Sequence, residues 1–151
     1  MSTIGFTMPG EGADVKVSNA DFEGLKTSLR KIGSIEIRLI SNSMAPLLPT
    51  GSIARIEPCS FDDVAKYDMI VFWYHGELMC HCVWARGAFP AANGERTLIT
   101  KGLNNASSDD PVRESWVLGR VVSHRTNAWQ FNWNLVKRRF GRKLNILGDR
   151  A

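Results

Sequence analysis

At 151 residues, with 44% apolar and 23% charged residues, the chain fits one globular domain with a core that needs no disulfides. These proportions exclude a low-complexity or disordered chain, and three cysteines, an odd number, argue against a disulfide framework and for a reducing, cytoplasmic setting. The net charge of +4 is unevenly placed: seven Lys/Arg against one Asp from Arg125 onward leave the preceding residues at about minus two, so no nucleic-acid partner is expected of the domain.

Met1 to Ser18 is Gly-rich and weakly patterned and reads as a flexible arm (1–18), with neither a signal peptide nor an anchor. Ser18 or Asn19 is placed to cap a short helix whose Phe22, Leu25 and Leu29 share a face, and Gly33-Ser34 ends it. Strands are predicted at about 34–40, 52–57, 69–74, 77–86, 96–101 and 115–123, with a helical turn at 62–66. His75-Gly76 reads as a hairpin tip, and the stretch from Gly87 to Arg96, with Pro90 and Asn93-Gly94, as a loop. Short strands separated by turn signals predict a mainly β, antiparallel domain over 19–124, with short helices at the N- and C-termini. The remaining 125–151 form a basic, aromatic extension. Trp129, Phe131 and Trp133 alternate as in a strand, and 134–147 has helical spacing. Such a tail either docks its apolar stripe on the domain or makes a weak, salt-sensitive contact with an anionic membrane surface.

Ser41-Asn42-Ser43-Met44-Ala45-Pro46 is the most informative stretch. It joins two alternating apolar runs and puts a serine hydroxyl on a tight turn, at a loop edge where a substrate can reach it. Serine is also an ordinary turn residue, and alone the stretch fits a plain turn. Downstream come Cys80-His81-Cys82 within an apolar run, Thr100-Lys101-Gly102-Leu103-Asn104-Asn105, then Asp109-Asp110-Pro111 and Leu118-Gly119-Arg120-Val121-Val122. In a strand Cys80 and Cys82 point away from His81, and structural zinc sites prefer wider gaps, so both read as core residues and no metal or cofactor is expected.

These four boxes, in this order from about Ser34 to Val122, resemble the signal peptidase I superfamily, in its Ser-His-Asp branch. Departures from the family pattern are Gly51-Ser52 and Tyr67-Asp68 where Gly-Asp is usual, Leu103 where Lys-Gly-Asp is usual, and Cys82 where His-Arg is usual. The resemblance implies a signal-peptidase-like β domain and a soluble serine endopeptidase acting on a peptide or leader segment. Ser43 would be the nucleophile and His81 the general base, brought into reach by a neighbouring strand. Asp109 would orient the imidazole, with Asp110 as the alternative acid. Ser41 and the Ser43 backbone would form the oxyanion hole, and Met44 and Pro46 would flank the substrate cleft. Lys101 stands outside the position of the bacterial catalytic lysine and is expected to be structural. Two further readings stay open: a peptide-binding module that has lost the chemistry, and a self-cleaving regulator of LexA type, which would use Ser-Lys and a preceding DNA-binding helix pair. Oligomeric state is not legible.

Overall fold

The computed structural model describes residues 16–125. Helix α1, Asn19–Ile32, begins where Ser18 accepts the Asp21 N–H at 3.1 Å and ends at Gly33, whose φ of +93° lets its N–H reach the Leu29 carbonyl at 2.8 Å. Both ends were therefore written into the sequence. Phe22 and Leu29 are buried and Leu25 is partly so, which gives the helix one apolar face. The Phe22 ring stacks on Trp73, and the Lys26 ammonium crosses to the Ser115 carbonyl at 2.8 Å.

Seven strands follow: β1 (Ile35–Arg38), β2 (Ile53–Glu57), β3 (Met69–Tyr74), β4 (Glu77–Arg86), β5 (Thr97–Lys101), β6 (Val112–Arg113) and β7 (Val117–Arg125). They form one sheet in the order β1-β2-β7-β3-β4-β5-β6, and every pairing is antiparallel. The mainly β expectation holds. The two-residue β6 was not foreseen, because a single buried apolar residue, Val112, carries no period. The last strand starts two residues later than expected because Glu114–Trp116 forms a 3-10 turn. A 3-10 turn also occupies Phe61–Asp63, at the start of the helical turn expected at 62–66.

The hairpin tip lies where Tyr74 meets His75-Gly76, with φ of +47° and +89° at the two turn residues. Beneath it, β3 and β4 are buried on both faces. Val71, Leu78, Cys80 and Cys82 pack with Phe22 and Leu29 in one cluster, and Ile70, Phe72, Met79 and Val83 pack with Phe61, Leu98 and Val112 in the other. Two covered faces explain why Met69–Tyr74 reads as a continuous apolar run. They also fix His81 on the face opposite the two cysteines.

Two boundaries move. Within the segment read as a flexible arm, Val17 exchanges backbone contacts with the hairpin, its N–H reaching Gly76 O at 2.7 Å and its carbonyl accepting the Trp73 indole at 2.8 Å. Arg125, assigned to the extension, is the last residue of β7: it pairs with Ile53, and its guanidinium forks onto Glu36 at 2.6 and 3.1 Å. The strand and helix expected within 126–151 lie outside the described residues. Among the described residues no helix is long and apolar enough to cross a membrane.

At Gly119 a Cβ would lie 2.4 Å from the Glu57 carbonyl oxygen and 2.7 Å from the Ile56 side chain. That carbonyl belongs to the β2–β7 pairing, so it cannot retreat without opening the ladder. Gly119→Ala should cost about 1–3 kcal/mol, read as a lowered midpoint in chemical denaturation.

Candidate active site

The loop between β1 and β2 is held by its own backbone. Leu39 N–H reaches Ser52 O at 2.9 Å and Gly51 N–H returns to Leu39 O at 2.7 Å, closing the loop at its base. Gly51 does this at a φ of +90°. Inside, Leu48 N–H bonds Met44 O at 2.9 Å, the Ala45–Pro46 peptide is cis, and Asn42 Oδ1 accepts the Thr50 hydroxyl at 2.8 Å. Met44 and Leu48 are sunk in the α1-side cluster. Met44 is thus a core anchor with 1% exposure, and its expected place on the cleft wall is wrong: the side chain adjoining Ser43 along the chain turns to the opposite side. Pro46 is half-buried.

Ser43 is brought to its neighbours by this loop, whereas the sequence suggested delivery by an adjacent strand. The Asn104 N–H donates to the Ser43 carbonyl at 2.7 Å, bolting the loop to the segment after β5. Gly102 makes this approach possible, because a Cβ there would lie 2.9 Å from Ser43 O and 2.7 Å from the Asn105 amide nitrogen.

Across that junction Ser43 Oγ lies 3.2 Å from His81 Nε2, and His81 Nδ1 lies 2.5 Å from Asp109 Oδ2. The imidazole is fully buried, edge-on to Phe72 with ring centroids 6.0 Å apart. An ionised carboxylate only accepts, so with Asp109 ionised the ring proton sits on Nδ1 and Nε2 is left to accept from the serine hydroxyl. Asp109 is held in turn by the Thr100 hydroxyl, which donates to Oδ2 at 2.7 Å, and by its own N–H on the Thr100 carbonyl at 2.8 Å. Ser41 Oγ stands 3.2 Å from Ser43 Oγ. If Ser43 donates to the imidazole, Ser41 is the donor of that pair, so its O–H points at the reacting oxygen.

The three residues named from sequence order therefore converge, and Ser41 joins them. Asp110 does not: its carboxylate accepts from the Tyr74 hydroxyl at 2.5 Å, which raises that phenol above its ordinary pKa. Lys101 lies over the Trp84 ring, 5.4 Å from its centroid, away from the serine. His75 caps the hairpin and His124 lies exposed on β7 opposite Ala54. Sequence reading missed Thr100 and the reason for Gly102, although both stand in the Thr-Lys-Gly box it singled out. The two-residue alternation marks Thr100 as facing the buried side of β5, but not what its hydroxyl meets.

The expected exposure of the serine is not met. Ser43 is only 6% exposed. Beside the imidazole and Asp109 lies a cleft of about 740 Å³ that runs toward the hairpin tip past Met79, Tyr74 and Glu77, with Asn104 to Asp110 as its other wall. Ser43 does not line it.

No protein-family model matches the chain, and no curated protein matches it in sequence.

Burial pushes the Cys80 thiol up to about 12 and also raises Cys82. A raised thiol stays protonated at neutral pH, so neither offers a thiolate nucleophile or ligand. Maleimide at pH 7.5 should leave both unmodified in the folded chain and label them on denaturation. A second outcome follows from the crowding at Gly102. Gly102→Ala should cost about 1–3 kcal/mol and move the backbone resonances of Ser43 and Asn104, because the added methyl separates the two loops.

Proposed function

We propose that this chain is a cytoplasmic serine endopeptidase of signal-peptidase type, cleaving a peptide or leader segment after small residues. The single observation that carries the reading is the continuous chain Ser43–His81–Asp109 at 3.2 and 2.5 Å. In this mechanism the Ser43 oxygen attacks the scissile carbonyl while its proton passes to His81 Nε2. The resulting imidazolium is stabilised by Asp109, and the oxyanion by the Ser41 hydroxyl and backbone N–H groups. His81 then hands the proton to the departing amine, and water, activated by the same imidazole, releases the acyl group. No step calls for a metal or cofactor.

The departures from the family pattern are compatible with this reading. Gly51 keeps its left-handed turn, and Ser52 uses its hydroxyl to bond Pro49 O at 2.7 Å. Tyr67 adopts a φ of +73° at a position where the family usually has Gly, a strain of about 1–2 kcal/mol. Asp68 after it accepts from Ala65 N–H at 2.8 Å and faces Arg120 at 3.4 Å. Leu103 is exposed, so the lost carboxylate there strands no buried partner.

Burial of Ser43 favours one competing reading, a peptide-binding module in which the serine is a structural turn residue. A self-cleaving regulator of LexA type is disfavoured, because Lys101 is engaged with Trp84. Incubation with a peptide library and mass spectrometry separates these. Ser43→Ala and His81→Ala should each lower turnover by about 10⁴-fold or more, while a folded Lys101→Ala retains it. Binding without cleavage by the native chain would establish the module instead, and loss of activity in Lys101→Ala would move the base to that lysine.

A further inference from the structure

Thr100 lies in β5, on the strand opposite β4, and its side chain is wholly buried. A buried hydroxyl has to place its proton somewhere, and here it goes to Asp109 Oδ2 at 2.7 Å. That oxygen is the same one that meets His81 Nδ1 at 2.5 Å. The backbone completes a ring, because the Asp109 N–H donates to the Thr100 carbonyl at 2.8 Å. Two consequences follow. First, the side chain of Asp109 has a fixed direction even though it stands on the irregular segment between β5 and β6. Second, an Oδ2 already tied to the Thr100 hydroxyl is pinned toward His81 Nδ1, where a carboxylate oxygen accepts the ring proton.

We propose that Thr100 is a positioning residue of the site. By donating to Asp109 Oδ2 it keeps that carboxylate aimed at the ring, which holds His81 with its proton on Nδ1 and its Nε2 free to accept from Ser43. The inference deepens the peptidase reading, and its catalytic consequence rests on it, but the ring-proton claim does not. Without the hydroxyl, Asp109 can rotate about its Cα–Cβ bond and the buried imidazole loses its preference between tautomers. Neither of the other groups placed around the ring can substitute: Phe72 is a hydrocarbon ring with no hydrogen-bonding atom, and Ser43 and Ser41 lie on the Nε2 side.

The experiment is ring-¹⁵N NMR of His81 in the full chain carrying Ser43→Ala, with and without Thr100→Val, which keeps the shape and removes the donor. Expected is an Nδ1–H tautomer with Thr100 present, a mixture of tautomers with Thr100→Val, and recovery with Thr100→Ser. In the Ser43 chain, Thr100→Val should lower kcat about tenfold with KM little changed, the effect of one hydrogen bond to a charged group. Unchanged ¹⁵N shifts in a folded Thr100→Val chain would overturn the proposal. So would failure of Thr100→Ser to restore them. Should Thr100→Val not fold, Thr100→Ala removes the same donor without needing room, and the same two outcomes decide. A tautomer shift in a chain that cleaves no peptide would support Thr100's role while removing the peptidase reading.

Discussion

The Asn104 N–H and the Ser43 carbonyl meet at 2.7 Å over a glycine that has no space for a methyl group, and the rest of the site is hung from that contact. One partner belongs to the loop between β1 and β2, the other to the segment leaving β5. In the sheet these strands are far apart, since β2, β7, β3 and β4 lie between β1 and β5. The junction adds a backbone tie between the serine loop and the segment that carries Asp109. With it, each loop brings one end of a hydrogen-bonded chain: Ser43 and Ser41 from the first, Asp109 from the second, and His81 from the strand beneath them.

The energetics favour such a closed arrangement. A neutral imidazole buried against Phe72 leaves two ring nitrogens that must both be satisfied, and losing either partner would cost about 1–3 kcal/mol. Ser43 satisfies one and Asp109 the other. The same pairing gives the ring a directional proton, which is what a general base needs. The atoms that satisfy the buried ring are therefore the same ones the proposed chemistry would use.

Much of the fold was legible because its signals are local. Ser18 and Gly33 bracket the helix through caps, and His75-Gly76 turns the hairpin because those two residues take positive φ. The triad was legible only through the order of the boxes. Nothing in the spacing of Ser43, His81 and Asp109 states that they meet, since the meeting depends on backbone contacts between loops. Met44 shows the limit most clearly. Its neighbour Ser43 faces the histidine, and the side-chain alternation that follows sends Met44 into the α1-side core, which a reading of the loop as an exposed rim does not anticipate. Thr100 was hidden for a related reason: a threonine in a strand is ordinary, and only the position of Asp109 gives its hydroxyl a purpose.

The central claim is that Ser43 is an activated nucleophile. Its most direct test is intact-mass and peptide-mapping analysis after exposure to a serine-directed fluorophosphonate. The account predicts one adduct per chain, located on Ser43 and abolished by His81→Ala in a folded protein. An adduct that persists without His81, or a native chain that never acquires one at Ser43, would contradict it.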